Sequence, residues 1–316
     1  MKPHETRQTT AGATAPQSTH TPYPHLSIAT DRKVRSESLP TWPRSPGLNQ
    51  RTPANGKRKY GNIGNVESKD PITRFVILNA PRTGSNYLCT LLNSHPEILC
   101  HHEIFNPHVV GVARHLQNTG FHMGTIEERE RDPIEFLGRV WRQNEGRCSV
   151  GFKLCWKQNE AIFYAVLADS RIRKVVLKRR NRIKSFVSLL LARQTGEWVI
   201  YNDAATPGAR PKVHVDEAEL RSHIAFNDAY YGEIESAIQQ SGQLGHVLYY
   251  EDLFSEASLC ATLKFLNVAE PNPALLAGQT WKLSSTSLRD LVASFDSLES
   301  SLRGTPLEEE LYSAGY

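Results

Sequence analysis

Short apolar runs alternate with longer amphipathic segments along the chain after Pro71. The apolar runs predict four buried strands, at Arg74–Ala80, Ser149–Trp156, Lys174–Lys178 and His246–Tyr250. The amphipathic segments predict helices at Asn86–Asn93, Ile162–Leu167, Ile183–Arg193, Val215–Gln240 and Ser255–Leu266. Strands separated by helices are typical of a parallel sheet covered on both faces. We therefore expect one three-layer α/β domain over 71–316, with a central, mainly parallel sheet flanked by helices.

The first 70 residues lack this pattern. They hold only seven Leu, Ile, Val or Phe residues but eight of the 18 prolines, and 11 Lys and Arg against five Asp and Glu. Such a segment cannot bury enough apolar surface to offset its ordering entropy, so we predict a disordered basic tail at 1–70. A transit peptide or a basic docking arm is the alternative interpretation of this segment.

Composition excludes several classes of protein. Residues 71–316 carry 26 basic and 28 acidic side chains, which argues against a nucleic-acid binder with a basic folded surface. The longest apolar run, 161–168, has eight residues, whereas a membrane-spanning helix needs about 20. The five cysteines lack CxxC spacing, and the amino terminus lacks a secretory signal pattern. We therefore expect a soluble cytoplasmic protein with free thiols.

A candidate anion site lies where the first strand turns into the first helix. In the turn 80–86, Gly84 allows a close backbone approach, and Thr83, Ser85 and Asn86 supply polar side chains. Arg82 adds a charge that can bind two oxygens at once. The helix that follows presents free N–H groups and the positive end of its dipole. Taken alone, the segment also fits an ordinary strand-to-helix turn.

A second, basic segment bears on whether the turn 80–86 is an anion site or an ordinary turn. Eight of the 14 residues from Arg171 to Lys184 are Lys or Arg, a pattern that a solvated surface also produces. The segment nevertheless brackets a predicted strand, so that Arg179 and Arg180 follow its carboxyl end, where α/β sheets bind ligands. Ser188 follows on the next helix. Two anion sites on one sheet indicate a ligand with two separated phosphate-type groups.

Two segments of the chain resemble sulfotransferases that use 3′-phosphoadenylyl sulfate (PAPS). The run FVILNAPRTGSNYLCTLL (75–92) is similar to their 5′-phosphosulfate loop, and VLKRRNRIKSFVSLLLA (176–192) to their 3′-phosphate segment. In both this sequence and the family, an arginine and a serine in the second segment stand eight positions apart, here Arg180 and Ser188. The residues of these two motifs are most similar to those of bacterial carbohydrate sulfotransferases of the trehalose and nodulation-factor type.

The resemblance implies a P-loop-like fold and a set of site residues. The 5′-phosphosulfate would be bound by Arg82, Thr83, Gly84, Ser85 and Asn86, and the 3′-phosphate by Arg180 and Ser188. Glu103 matches the family's general base, and His102 is the alternative because related enzymes use a histidine. Lys282 is a candidate nucleotide contact. The reaction would need no metal, since Arg82 and backbone donors supply the counter-charge, and the acceptor would be a hydroxyl of a glycan or glycolipid.

Other interpretations remain open at this stage. A P-loop nucleotide or small-molecule kinase would share the anion loop, although the chain lacks the GxxxxGK[ST] lysine. A non-catalytic module could bind nucleic acid or a protein partner through Arg171–Lys184. A zinc site at His101, His102, Glu103 and His108 lacks HExxH spacing. The sequence leaves the acceptor unidentified and the oligomeric state open, a homodimer included.

Overall fold

The computed structural model describes residues 72–201, 210–280 and 287–313. The predicted tail at 1–70 and the candidate contact Lys282 lie outside these residues. Within them, the chain builds a three-layer α/β structure, and this confirms the expected fold class.

Five strands form one sheet, in the order β2-β3-β1-β4-β5, and every neighbouring pair is parallel. Their bounds are Thr73–Asn79 (β1), Ile98–His101 (β2), Ser149–Cys155 (β3), Ile172–Lys178 (β4) and Gly245–Tyr249 (β5). Four of them confirm the predicted strands to within two residues at each end. Strand β2, which has only four residues and ends in a histidine, is not among the predicted strands.

Ten α-helices are described, and they include the five that the sequence predicted. Their bounds are Ser85–Ser94 (α1), Ile126–Arg131 (α2), Pro133–Arg142 (α3), Glu160–Ala168 (α4), Arg182–Thr195 (α5), Glu217–Gln240 (α6), Glu256–Phe265 (α7), Leu288–Leu291 (α8), Phe295–Leu302 (α9) and Glu308–Tyr312 (α10). Over the part of the chain that the structure covers, none of these helices combines the length and apolar character needed to cross a bilayer.

Alternation along β1 divides the core between the two faces of the sheet. Val76 and Leu78 pack on one face with side chains from α3, α4 and α6, while Phe75 and Ile77 pack on the other with α1 and α7. A third cluster joins α5 to the amino-terminal half of α6 and to α8–α10. All strands run in the same direction, so the segments that follow β1, β2, β3 and β4 meet at the carboxyl edge of the sheet.

Candidate active site

The turn between β1 and α1 has the backbone geometry of an anion-binding loop. Gly84 is left-handed (φ 84°), and a Cβ atom there would lie 2.3 Å from the Tyr250 ring, so only glycine fits. The Thr83 hydroxyl donates to the Ala80 carbonyl (2.8 Å) and fixes the turn. No side chain caps α1, so its first N–H groups keep no side-chain acceptor, and the first residues of α1, Ser85 and Asn86, line the cleft.

Arg82 links this turn to the segment after β4. Its backbone is left-handed (φ 64°), which directs the side chain across the cleft. Nε donates to the Ser188 hydroxyl on α5 (3.0 Å), and Nη1 donates to the Trp198 carbonyl (2.5 Å). The two segments that the sequence selected as anion sites therefore touch each other directly.

The two arginines after β4 have different surroundings. Arg179 packs over the Tyr250 ring (4.7 Å to the ring centre), and its Nη1 donates to the Arg82 carbonyl (3.1 Å). Its Nε is buried and has no hydrogen-bond partner among the described residues. Burial lowers the pKa of Arg179, because the loss of hydration outweighs the attraction of Tyr250 and Glu251 for its charge. This guanidinium faces the site.

Arg180, which the sequence selected for the anion site, lies outside the set of residues that line the cleft with Arg82 and Ser188. Its guanidinium forms a two-pronged pair with Asp252 (2.9 and 2.8 Å), stacks over Tyr249 and is half-exposed. In this arrangement the Arg179 side chain lines the cleft, whereas the Arg180 side chain does not. The structure brings Arg179, and not Arg180, together with Arg82 and Ser188.

A cleft of about 240 Å³ opens over this constellation. Its walls include Arg82, Asn86, Tyr87, Arg179, Ser188 and Trp198. Gly84 and Ser85 also face it, whereas Thr83 and Arg180 line a neighbouring depression between α5 and α6. Tyr87 stacks on Phe254 (5.5 Å between ring centres), so the cleft combines flat aromatic surfaces with anion-binding groups.

Glu103 lies just beyond β2, and its carboxylate is enclosed by donors. The Lys153 ammonium contacts Oε1 (2.9 Å), and the side-chain amides of Asn106 (2.7 Å) and Gln158 (2.9 Å) donate to Oε2. Burial alone would raise the pKa of Glu103, but Lys153 and the amide hydrogen bonds outweigh it and lower the pKa to about 2. The carboxylate is therefore ionised at neutral pH.

Lys153 connects this carboxylate to the anion loop. It lies on β3 and is almost fully buried, and its Nζ also donates to Asn86 Oδ1 (2.7 Å). The sequence analysis gave Lys153 no role, because its partners are distant in the chain. A lysine inside an apolar strand was the available signal, since buried ammonium groups need a paired acceptor.

His102, the alternative base, faces the interior. Its Nδ1 lies 3.2 Å from Asn86 Oδ1, which also accepts from Lys153, so Nδ1 carries the proton. Nε2 is buried without a partner among the described residues. Across that same part of the chain, no three His, Cys, Asp or Glu side chains converge as metal ligands would.

Arg129, on α2, holds the loop that carries Glu103. Its side chain is fully buried, and Nη1 lies within 3.1 Å of the carbonyl oxygens of Ile104, Asn106 and Val109. Asn106 in turn donates to the Glu103 carboxylate. The sequence analysis did not identify Arg129, which looks like any charged residue of a short polar helix.

Comparison with known proteins identifies sequence relatives that cover 60–73% of this chain. No protein-family model matches the sequence. Nodulation protein H of Rhizobium tropici is 30% identical over 243 residues, which cover 73% of this chain and 90% of that protein. Nodulation protein H of Rhizobium meliloti (strain 1021) is 25% identical over 194 residues, which cover 60% of this chain and 74% of that protein.

Among solved structures, a sulfotransferase from Alicyclobacillus acidocaldarius aligns with a TM-score of 0.42 and 14% identity, over 77% of this chain and 95% of that one. The sequence relationship to the Rhizobium tropici protein, at 30% identity over 73% of this chain, confirms the family resemblance that the motifs indicated. The chain belongs to the nodulation protein H family.

Proposed function

We propose that this sulfotransferase moves the sulfuryl group of PAPS to a hydroxyl of a carbohydrate or glycolipid. The observation that carries the proposal is the direct contact between the turn after β1 and the segment after β4, through Arg82 and Ser188. A donor with a 5′-phosphosulfate and a 3′-phosphate has two anionic ends, and this edge of the sheet offers two adjoining sets of anion donors.

The 5′-phosphosulfate is assigned to the loop that runs from Arg82 to Asn86. The uncapped N–H groups of α1 and the Arg82 guanidinium would neutralise its oxygens. We assign the 3′-phosphate to Ser188 together with Arg179, because the Arg179 guanidinium lies in the cleft and keeps an unpartnered Nε. Arg180, which motif spacing selects, and Lys282, outside the described residues, stay predictions.

The reaction is an in-line displacement at sulfur. The acceptor oxygen forms a bond to sulfur while the bond from sulfur to the 5′-phosphate oxygen breaks, and adenosine 3′,5′-bisphosphate (PAP) leaves with that electron pair. The hydroxyl proton passes to a base. Arg82 and the loop N–H groups stabilise the charge that develops on the leaving phosphate and on the sulfuryl oxygens.

Glu103 is better placed than His102 to accept the proton. The Glu103 side chain keeps 14% exposure and is ionised, so it can accept a proton from a bound hydroxyl. The His102 ring directs Nδ1–H to Asn86, and its Nε2 is buried. Proton acceptance by Glu103 requires no metal in this scheme.

The acceptor class rests on family membership. The relatives are named for nodulation, and the motif wording resembles carbohydrate sulfotransferases, so we propose a glycan or glycolipid hydroxyl as the acceptor. Glu103 itself lies in the loop between β2 and α2. We infer that this loop, together with the chain beyond α5, selects the acceptor.

Radiolabelled transfer from [³⁵S]PAPS to a panel of oligosaccharides and lipid extracts tests this function. We expect labelled glycan or glycolipid with the wild-type enzyme, and a kcat lower by about 10²–10⁴-fold in Glu103→Gln, the usual effect of removing a positioned base. Glutamine keeps the shape of the side chain, so the amide partners of Glu103 remain largely paired.

His102→Asn is the matched comparison. If His102→Asn abolishes transfer while Glu103→Gln retains it, the histidine is the base.

PAP binding measured by calorimetry without magnesium separates this enzyme from a kinase, whose nucleotide site depends on the metal. Failure of PAP to bind at all would overturn the proposed function.

A further inference from the structure

One ammonium group serves both halves of the proposed site. Lys153 Nζ lies 2.7 Å from Asn86 Oδ1 in the anion loop and 2.9 Å from Glu103 Oε1. The side chain is 4% exposed, so these contacts replace most of its hydration. Asn86 lines the cleft, which places the Lys153 ammonium immediately behind the loop that would receive the phosphosulfate.

The pairing poses a chemical problem for the base. A carboxylate stabilised by an ammonium and two amides holds protons weakly, whereas a general base works best when its pKa is near the working pH. In the donor-free structure, Glu103 is therefore a poor proton acceptor. Its basicity must rise at the moment when the donor is bound.

We propose, resting on the proposed function, that Lys153 is a positioning residue that couples donor binding to the basicity of Glu103. With the loop empty, the ammonium neutralises Glu103. A multiply charged phosphosulfate beyond Asn86 attracts the same ammonium and weakens its contact with the carboxylate. Glu103 then becomes a stronger base only in the complex that holds the donor.

Electrostatics favours this exchange over a static ion pair. Charge–charge energies are larger in a buried setting than in water, and a phosphosulfate brings more negative charge than one carboxylate. A lysine ammonium is a compact charge on a flexible stem, so a shift of its contacts needs no backbone movement. Linkage requires reciprocity: if the donor weakens the Lys153–Glu103 contact, that contact must weaken donor binding.

Other titratable groups around the pair do not provide this link. Those facing Glu103 and Lys153 are Cys89 on α1, Cys100 and His102 at β2, and Cys155 on β3. Burial raises the pKa of Cys155, so this thiol stays neutral. Of Lys153 and these four neighbours, Lys153 is the one that lies within hydrogen-bonding distance of both Asn86 in the anion loop and the Glu103 carboxylate.

A double-mutant cycle on PAP affinity tests the coupling without using activity. Because Glu103→Gln frees the ammonium, we expect it to tighten PAP binding by at least about fivefold, the low end of couplings between sites. In the Lys153→Gln background, the same Glu103→Gln change should alter PAP affinity by less than about twofold. Unfolding curves of all four proteins confirm that each is folded.

Equal tightening in both backgrounds would overturn the proposal, because simple removal of a negative charge would then explain it. Unchanged PAP affinity in Glu103→Gln would overturn it as well. Glu233→Gln is the matched control, since Glu233 pairs with Lys157 (2.8 Å) on the surface and should leave PAP affinity unchanged.

A second measurement needs no substitution at Lys153. Near pH 5, PAP binding should take up more protons in the wild type than in Glu103→Gln, measured by calorimetry in two buffers of different ionisation enthalpy. Equal proton uptake would overturn the coupling. If PAP binds and Glu103→Gln loses turnover but neither signal is found, the coupling fails while the proposed function stands.

Discussion

The two sides of the carboxyl edge of the sheet carry charge in different ways. On the β2–β3 side, Glu103 and Lys153 are 14% and 4% exposed, and amide groups complete their contacts. On the β4–β5 side, Arg180 and Asp252 form an equally short pair, but these side chains are 50% and 31% exposed. Distance is the same on both sides, while burial is not.

This difference decides what each pair contributes. An exposed ion pair is worth about 0–1 kcal/mol, because water already solvates both partners. A buried charge must keep all its contacts, since removing one partner leaves the other desolvated and unpaired. We therefore expect substitutions on the β2–β3 side to affect stability and catalysis strongly, and those on the β4–β5 side to be tolerated.

The largest expected effect on stability is that of Arg129→Met. Three carbonyl oxygens of the Glu103 loop would lose a charged donor inside the protein, so we expect the free energy of unfolding to fall by about 3–5 kcal/mol. Urea unfolding monitored by circular dichroism measures the change. Arg142→Met is the control, because Arg142 is 53% exposed and pairs with Glu135.

A loss below about 1 kcal/mol in Arg129→Met would show that the charges on this side are as dispensable as those at the surface. The comparison would then fail. Equal losses in Arg129→Met and Arg142→Met would lead to the same conclusion.

The pH dependence of stability gives the next largest effect. The pKa of Glu103 lies at about 2 in the folded protein and near 4.5 when unperturbed. A depressed pKa stabilises the fold above the unfolded value, and this contribution is lost as the pH falls from 4.5 through 2. Between pH 5 and 2, the wild type should lose about 3 kcal/mol more than Glu103→Gln.

Urea unfolding of both proteins at several pH values measures this difference. If the free energies of unfolding of the wild type and Glu103→Gln changed with pH in parallel, the Glu103 carboxylate would not be stabilised by its buried partners. Asp252→Asn provides the comparison with the other side of the edge, where loss of the exposed pair should lower the free energy of unfolding at neutral pH by about 1 kcal/mol or less.

Much of the fold and part of the site were predictable from local signals. Apolar runs mark four strands, and Gly84 marks the turn because only glycine fits beside Tyr250. Strand β2 was missed, since a four-residue strand is too short to show a period. Burial and pairing between distant residues leave no local signal. Lys153 donates to Asn86, which lies 67 positions away in the sequence, and Arg129 donates to the Asn106 carbonyl, 23 positions away.

Arg179 and Arg180 also show that contacts between distant residues cannot be read from a local motif. Spacing to Ser188 selects Arg180, but the direction of each side chain depends on the strand end and on Asp252, which lies 72 positions away. Motif spacing therefore locates the segment, and the choice between the two arginines as the 3′-phosphate contact stays a prediction.

Arg179→Ala and Arg180→Ala bring the comparison to two neighbouring residues. Arg179→Ala removes the guanidinium that lines the cleft, so we expect PAP affinity to fall by about 10- to 150-fold, as for a charged hydrogen bond of about 1.5–3 kcal/mol. Arg180→Ala removes a half-exposed pair and should weaken PAP binding by less than about fivefold. Calorimetric titration of both folded variants measures the two losses. A larger loss in Arg180→Ala would mean that Arg180 leaves Asp252 when the nucleotide binds, and motif spacing would then be the better guide than the donor-free geometry.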